Sequence, residues 1–369
     1  KKKMQQIKLN VVKEPLINLV GFLMLGMTNN FGYAIMLSAA KDLIGKQAPT
    51  GVVLLCDILP SFLIVLTYPL FQHKIKILYC IIIASIFAIV GFILAALSVY
   101  HFSLALIGTV LISLQQGIGE CSLLAYSSFF ASNCVAAWST GTGFAGLSSS
   151  FLYMLLTQIL HIPYDLIIWC FITIPFIFMI SFLIIKPQGF QQIEDADKFI
   201  ENSKIIDRIK LVKPHLLIYF SLFFVFLFEY SIMQGVDAAL DYPTNPGSFY
   251  SFSCFAAQIG VFLARTSLFF FKLNYHFIPT LFAIQFVNLI IFSLEGVFYF
   301  INNFWAMLVY VGFMGLCGGL TYINGVYQLQ IRSAPNEKKF LLSVAGMWMN
   351  AGILCAAGVG SLLETALKK

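Results

Sequence analysis

The residues of this chain able to do chemistry are charged and amide side chains set inside long apolar runs. Glu120 stands in GTVLISLQQGIGECSLLAYSSFF, directly after Gly117 and Gly119 and a turn after Gln115 and Gln116. No basic residue lies anywhere from Gly108 to Leu147. Glu229 sits between LLIYFSLFFVFLF and YSIMQG, and Arg265 interrupts GVFLARTSLFFF. Such groups are costly at membrane depth unless they face a polar cavity or find a partner. The chemistry they suit is binding a polar solute and exchanging protons, with Glu120 and Glu229 the candidate proton carriers.

Composition says what must position them. Of 369 residues, 60% are hydrophobic and 10% charged, and the mean hydropathy is +0.89, far from a soluble average of about 25% charged. The apolar runs are mostly of helix-spanning length, which excludes β-barrel alternation and predicts an all-α polytopic membrane protein. The net charge of +6 does not point to nucleic acid, because the basic residues are scattered over helix ends and loops. Eight cysteines show no metal-ligand spacing and read as packing residues. No cofactor is expected. With neither HExxH, a Walker A loop nor a hydrolase elbow in a suitable context, an enzyme is not expected either.

Eleven spans are predicted, at about 16–37, 51–70, 78–99, 104–130, 138–160, 166–185, 215–236, 249–271, 277–298, 304–328 and 341–363. Residues 186–214 form the one long connection, so the chain divides into a six-helix half (1–185), a central linker and a five-helix half (215–369). Phe199, Ile200, Ile205, Ile206 and Ile209 fall near helical spacing in that linker; it reads equally as a surface-lying amphipathic segment or as a solvated connection. The positive-inside rule places Lys1, Lys2, Lys3, Lys8, Lys13, Lys74, Lys76 and Lys272 in the cytosol. An odd count then leaves the C-terminus on the lumenal side.

Several polar residues keep two readings. Asn29 and Asn30 in the first span serve either a cavity or bonding between helices. Asp57 reads as an interfacial carboxylate, and Glu295 as a solvated one. Gly141, Gly143 and Gly146 have GxGxxG spacing, but no strand precedes them, so they are not a dinucleotide signature. They serve close packing or a transport path. Arg265 either faces a cavity, where its planar guanidinium suits an anionic headgroup, or snorkels to the cytosolic surface.

NNFGYAIMLSAAKDL (29–43), QQGIGE (115–120), WSTGTGFAG (138–146), FEYSIMQG (228–235), QIGVFLARTS (258–267) and GGLTYIN (318–324) together resemble successive blocks of the battenin family. The resemblance runs through both halves. It implies a major-facilitator-like bundle of eleven spans in two pseudo-symmetric halves, resident in lysosomal or vacuolar membranes with a cytosolic N-terminus. It also implies a role in exporting glycerophosphodiesters from the organelle lumen. Family polar blocks carry over to Asn29, Asn30, Glu120, Ser139, Gly141, Thr142, Glu229, Gln258, Arg265, Tyr322 and Asn324 as substrate-binding positions. Expected partners are a glycerophosphodiester or other small polar solute, protons and membrane lipids. Two alternatives stand beside this reading: transport of basic amino acids with an effect on organelle pH, and a non-transporting scaffold whose charged linker contacts trafficking proteins.

Overall fold

The structure is a computed structural model that describes residues 15–68, 75–130, 132–186, 210–242, 248–267, 270–334 and 337–368. Its regular elements are helical. The first six predicted spans correspond to α1 (Leu16–Ser38), α3 (Thr50–Thr67), α4 (Ile77–Ala96), α5 (Phe102–Tyr126), α6 (Ser132–Met154) and the pair α7 (Tyr164–Phe171) and α8 (Ile174–Ile184), with a short α2 (Ala40–Ile44) after α1. Next come α9 (Leu216–Ser231), α10 (Phe249–Thr266), α11 (Ile278–Phe298), α12 (Phe304–Arg332) and α13 (Lys338–Leu367). Most of the central linker, with its amphipathic and trafficking readings, lies outside the described residues.

Among the described residues, nine helices are long and apolar enough to cross a membrane. The windows at 138–160 and 249–271 hold α6 and α10, which are not among the nine. Their reduced hydropathy has a structural cause: they carry the Ser, Thr, Gly, Gln258 and Arg265 positions and pack on each other in the interior. The nine are instead apolar on their outer faces. On α11, Phe286, Val287, Ile290, Leu294, Val297 and Phe298 are all exposed, an outward apolar surface suited to lipid.

In the first half, α1 packs on α6, α5 and α8, while α3 and α4 pack on α5. In the second, α9 packs on α13 and α11, and α10 on α12. The halves meet along two main seams, α3 against α13 and α6 against α10. Small residues set the tightest pairs. Gly26 lies on the Trp138 carbonyl and Gly141 on the Leu23 carbonyl where α1 crosses α6; Gly260 lies on the Gly312 carbonyl and Gly315 on that of Ala257 where α10 crosses α12. Without the hydrophobic effect to draw helices together in lipid, this backbone approach supplies the packing energy. Gly260→Val should therefore force α10 off α12 and cost about 1–3 kcal/mol, read as a lowered unfolding temperature in detergent. An unchanged temperature would show that the pair tolerates separation.

One predicted boundary needs correction. The last span was expected to end at 363, but α13 continues to Leu367 and carries Glu364 into the interior, where it is buried. A membrane carboxylate normally ends a hydropathy-based span; here it has partners that keep it inside.

Candidate functional site

The second half holds a cavity of about 40 Å³ between α9, α10 and α12, lined by Glu229, Tyr230, Gln258, Arg265 and Tyr322 among others. That is room for a few waters, at roughly 10–15 Å³ each. Glu229 projects from α9 just before its helix loosens into a π turn, Ile232–Val236. Such bulges recur at functional sites because the extra residue re-aims a side chain. Gly318 on α12 makes space for this carboxylate: a Cβ there would run into Glu229.

Arg265 approaches from the last turn of α10, with its guanidinium carbon 5.2 Å from the centre of the Tyr322 ring. The inward-facing reading of this arginine is the one observed. Its end reaches toward the other half, because a Cβ on Gly143 of α6 would stand 3.1 Å from one guanidinium nitrogen. Gln258, two turns earlier on α10, likewise occupies the space that a side chain at Gly146 would need. The cavity thus lies next to the α6–α10 seam.

Glu229 and Arg265 interact electrostatically but are not within ion-pair distance, so the ion pair suggested by their opposite charges is not closed. One Glu229 carboxylate oxygen and Arg265 Nε are buried without a hydrogen-bond partner. Buried polar groups are overwhelmingly satisfied, so two unpartnered atoms on groups of opposite charge mark this cavity as a candidate polar binding site.

The other predicted positions fall elsewhere. Asn29 donates to the Gln116 carbonyl (3.2 Å) and accepts from Gln115 (2.9 Å), while Asn30 accepts from Gln116 (3.0 Å). These amides tie α1 to α5, and Gly119 is the residue that lets Asn29 in. Glu120 is half-buried, its carboxylate has no hydrogen bond among the described residues, and it does not line the Arg265 cavity. Ser139 is exposed, and its carbonyl accepts the Thr142 hydroxyl at 2.8 Å. Gly141 packs on α1 rather than toward the cavity; of the three glycines, Gly143 and Gly146 face the second half. Asn324 accepts from the Leu273 backbone N–H at 2.9 Å and donates to the Leu320 carbonyl, holding the chain that follows α10.

Two carboxylates are deeper than expected. Glu295 is fully buried and accepts the Tyr242 hydroxyl (2.8 Å) and the Ile301 N–H (2.8 Å), closing the turn after α11. Asp57 is fully buried too, and neither carboxylate oxygen has a partner.

The hydrogen bonds joining the halves run from mid-depth to one end. At mid-depth the Tyr33 hydroxyl donates to that of Tyr230 at 2.8 Å. Toward the end where α1 finishes and α3 starts, Thr50 gives its N–H (2.6 Å) and hydroxyl (2.9 Å) to Glu364, and the same hydroxyl lies 2.6 Å from the Gln234 carbonyl. Lys368 pairs with the other Glu364 oxygen. Tyr250 donates to the Leu37 carbonyl and is 2.8 Å from the Gln234 amide oxygen; Ser248 N–H donates to Gln158 at 2.6 Å. These contacts seal the seam at the end where α1 finishes and α3 starts.

The molecule is therefore a polytopic helical membrane bundle with two seams and a charged cavity beside one of them. Solved structures agree on the fold: a bacterial homolog to the human lysosomal transporter Spinster, inward-facing and occupied, aligns over 93% of this chain and 80% of its own with a TM-score of 0.56 at 13% identity. A variant of the nucleoside transporter NupG aligns over 95% and 91% with a TM-score of 0.57 at 12% identity. The family model described as CLN3 protein matches residues 20–210 and 191–369. Protein BTN1 of Kluyveromyces lactis is 34% identical, with 94% of each chain covered, and that of Yarrowia lipolytica 33% identical, covering 93% of this chain and 92% of its own. The chain therefore belongs to the CLN3 family, the battenin family that its sequence blocks resemble. Membership accords with transport rather than enzymatic chemistry.

The sequence did not single out Tyr33, Tyr230, Thr50 or Glu364, whereas the close contact expected of Gly318 is the one it makes with Glu229. Tyr33 and Tyr230 lie inside the family blocks 29–43 and 228–235. Thr50 and Glu364 are far apart in sequence and gave no signal.

Proposed function

We propose that this protein is a lysosomal or vacuolar membrane carrier that exports glycerophosphodiesters through alternating exposure of the central cavity. Eleven spans, α6 and α10 included, form two pseudo-symmetric halves (1–185 and 215–369) joined by a cytosolic linker, with the N-terminus cytosolic and the sealed end lumenal. The observation that carries the reading is the unsatisfied pair of opposite charges, Arg265 and Glu229, around one water-sized cavity. Arg265 is the phosphate group's partner, assisted by Gln258 and Tyr322. Glu229 then faces the remainder of the headgroup or carries a proton as the halves rock. The present cavity is too small for such a solute, so binding requires the halves to part.

The unpaired Glu229 oxygen also favours a second reading, in which the solute is a basic amino acid held by that carboxylate. Purified protein in vesicles separates the two. Labelled glycerophosphocholine should cross in a protein-dependent manner and be displaced by other glycerophosphodiesters. Displacement by arginine or lysine alone would reverse the assignment, and absence of flux for both classes from folded protein would reject the carrier.

A further inference from the structure

Asp57 lies in α3 at a turn whose backbone bonding is interrupted twice. Pro60 has no N–H to return to the Cys56 carbonyl. One step on, the Ser113 hydroxyl of α5 accepts the Ser61 N–H at 3.0 Å and donates to the Asp57 carbonyl, so a side chain from another helix is inserted in the ladder. A buried carboxyl at a loosened turn of a seam helix is the kind of position where carriers hold their coupling ion.

The surroundings narrow the ion. Both carboxylate oxygens are buried and unpartnered. The titratable groups that interact with Asp57 are its neighbour Cys56, Tyr33 of α1 and Tyr230 of α9. From α5 it meets Ser113 at its backbone, and among the described residues no Lys, Arg or His from α1, α5, α9 or α13 offsets it. A metal cation would need several converging oxygen ligands, and among the described residues no cluster of three or more His, Cys, Asp or Glu side chains stands here. A proton needs none, because it removes the charge itself.

Tyr33 and Tyr230 also connect this position to the other half. Their hydroxyls bond to each other across the interface, and Tyr230 interacts electrostatically with Glu229 and Arg265 as well as with Asp57. We propose that Asp57 is a proton-binding site of the first half, linked through the Tyr33–Tyr230 hydroxyl pair to the Glu229–Arg265 cavity of the second. Parting the halves breaks the tyrosine bond, so the connection exists in the sealed conformation and is lost in the open one. This deepens the carrier reading by assigning the coupling ion to a residue outside the solute cavity.

Infrared spectroscopy of the full chain in phosphatidylcholine vesicles at about pH 7, where an ordinary aspartate is ionised, tests this with no solute present. Subtracting the spectrum of Asp57→Asn from that of the unaltered protein should leave the carbonyl band of a neutral carboxyl group. Tyr33→Phe should shift that band and slow its exchange in heavy water. A difference containing only ionised-carboxylate bands, or a band indifferent to Tyr33→Phe, overturns the proposal. If Asp57→Asn does not assemble, Asp57→Glu replaces it: the neutral band should move, and an unmoved band is equally fatal. Failure of glycerophosphodiester flux with the band present would instead sink the solute assignment alone.

Discussion

Arg265→Lys should leave the bundle folded and weaken glycerophosphodiester transport by roughly 10- to 100-fold. Charge is kept, so the loss reports geometry. A guanidinium gives a phosphate two parallel hydrogen bonds from a rigid plane, whereas an ammonium is a point donor. Loss of one charge-assisted hydrogen bond of about 1.5–3 kcal/mol corresponds to that range. Tyr322, 5.2 Å from the guanidinium carbon, fixes the plane by stacking, and lysine cannot use that support equally. The measurement is the concentration dependence of labelled glycerophosphocholine uptake into vesicles, with monodispersity in detergent as the fold control. Unchanged half-saturation and maximal rate would remove Arg265 from the phosphate site. A loss equal for arginine uptake and for glycerophosphocholine would make its role structural.

Glu364→Ala should open the sealed end. The carboxylate accepts both the N–H and the hydroxyl of Thr50, and its removal leaves a buried backbone N–H without a partner. That penalty is about 1–3 kcal/mol, which moves a two-state equilibrium by roughly 5- to 150-fold toward the conformation in which Thr50 reaches water. Gly51 makes the contact intimate, since a Cβ there would meet the Ser361 hydroxyl and the Ala357 carbonyl. Spin labels on the ends of α3 and α13 should show a longer-distance population in Glu364→Ala. Glu364→Gln retains an acceptor and should show a smaller one. A distance distribution identical to the parent would mean that the Tyr250–Leu37 and Ser248–Gln158 contacts hold the seal unaided.

The site residues show where reading along the chain succeeds and where it stops. Glu229 and Arg265 stood out because a full charge inside an apolar run has few explanations, and the structure gathers them with Gln258 and Tyr322 around one cavity. Asn29 and Asn324 were marked by the same logic, yet their hydrogen bonds hold α1 to α5 and fasten the chain after α10. An amide in a membrane helix is satisfied equally well by a neighbour's carbonyl or by a solute, and its own sequence does not distinguish the two. Gly141 and Gly143 are two residues apart, so about 200° of helix turn separates them. One therefore meets α1 while the other faces Arg265.

Asp57 and Glu295 show the opposite error, and Glu364 shares their setting. Each lies near the end of an apolar run, where water is the expected partner, and each is buried by chain distant in sequence. The sequence by itself determined the class of the molecule, its helical windows, its family and the charged residues that need shelter, because hydropathy and length are sums over neighbouring residues. Only the tertiary structure decided which face of each helix meets lipid, another helix or the cavity, and which distant segments hydrogen-bond across the seam. Those outcomes depend on the rotation and depth at which helices pack, which glycines and hydrogen bonds from separate segments set together.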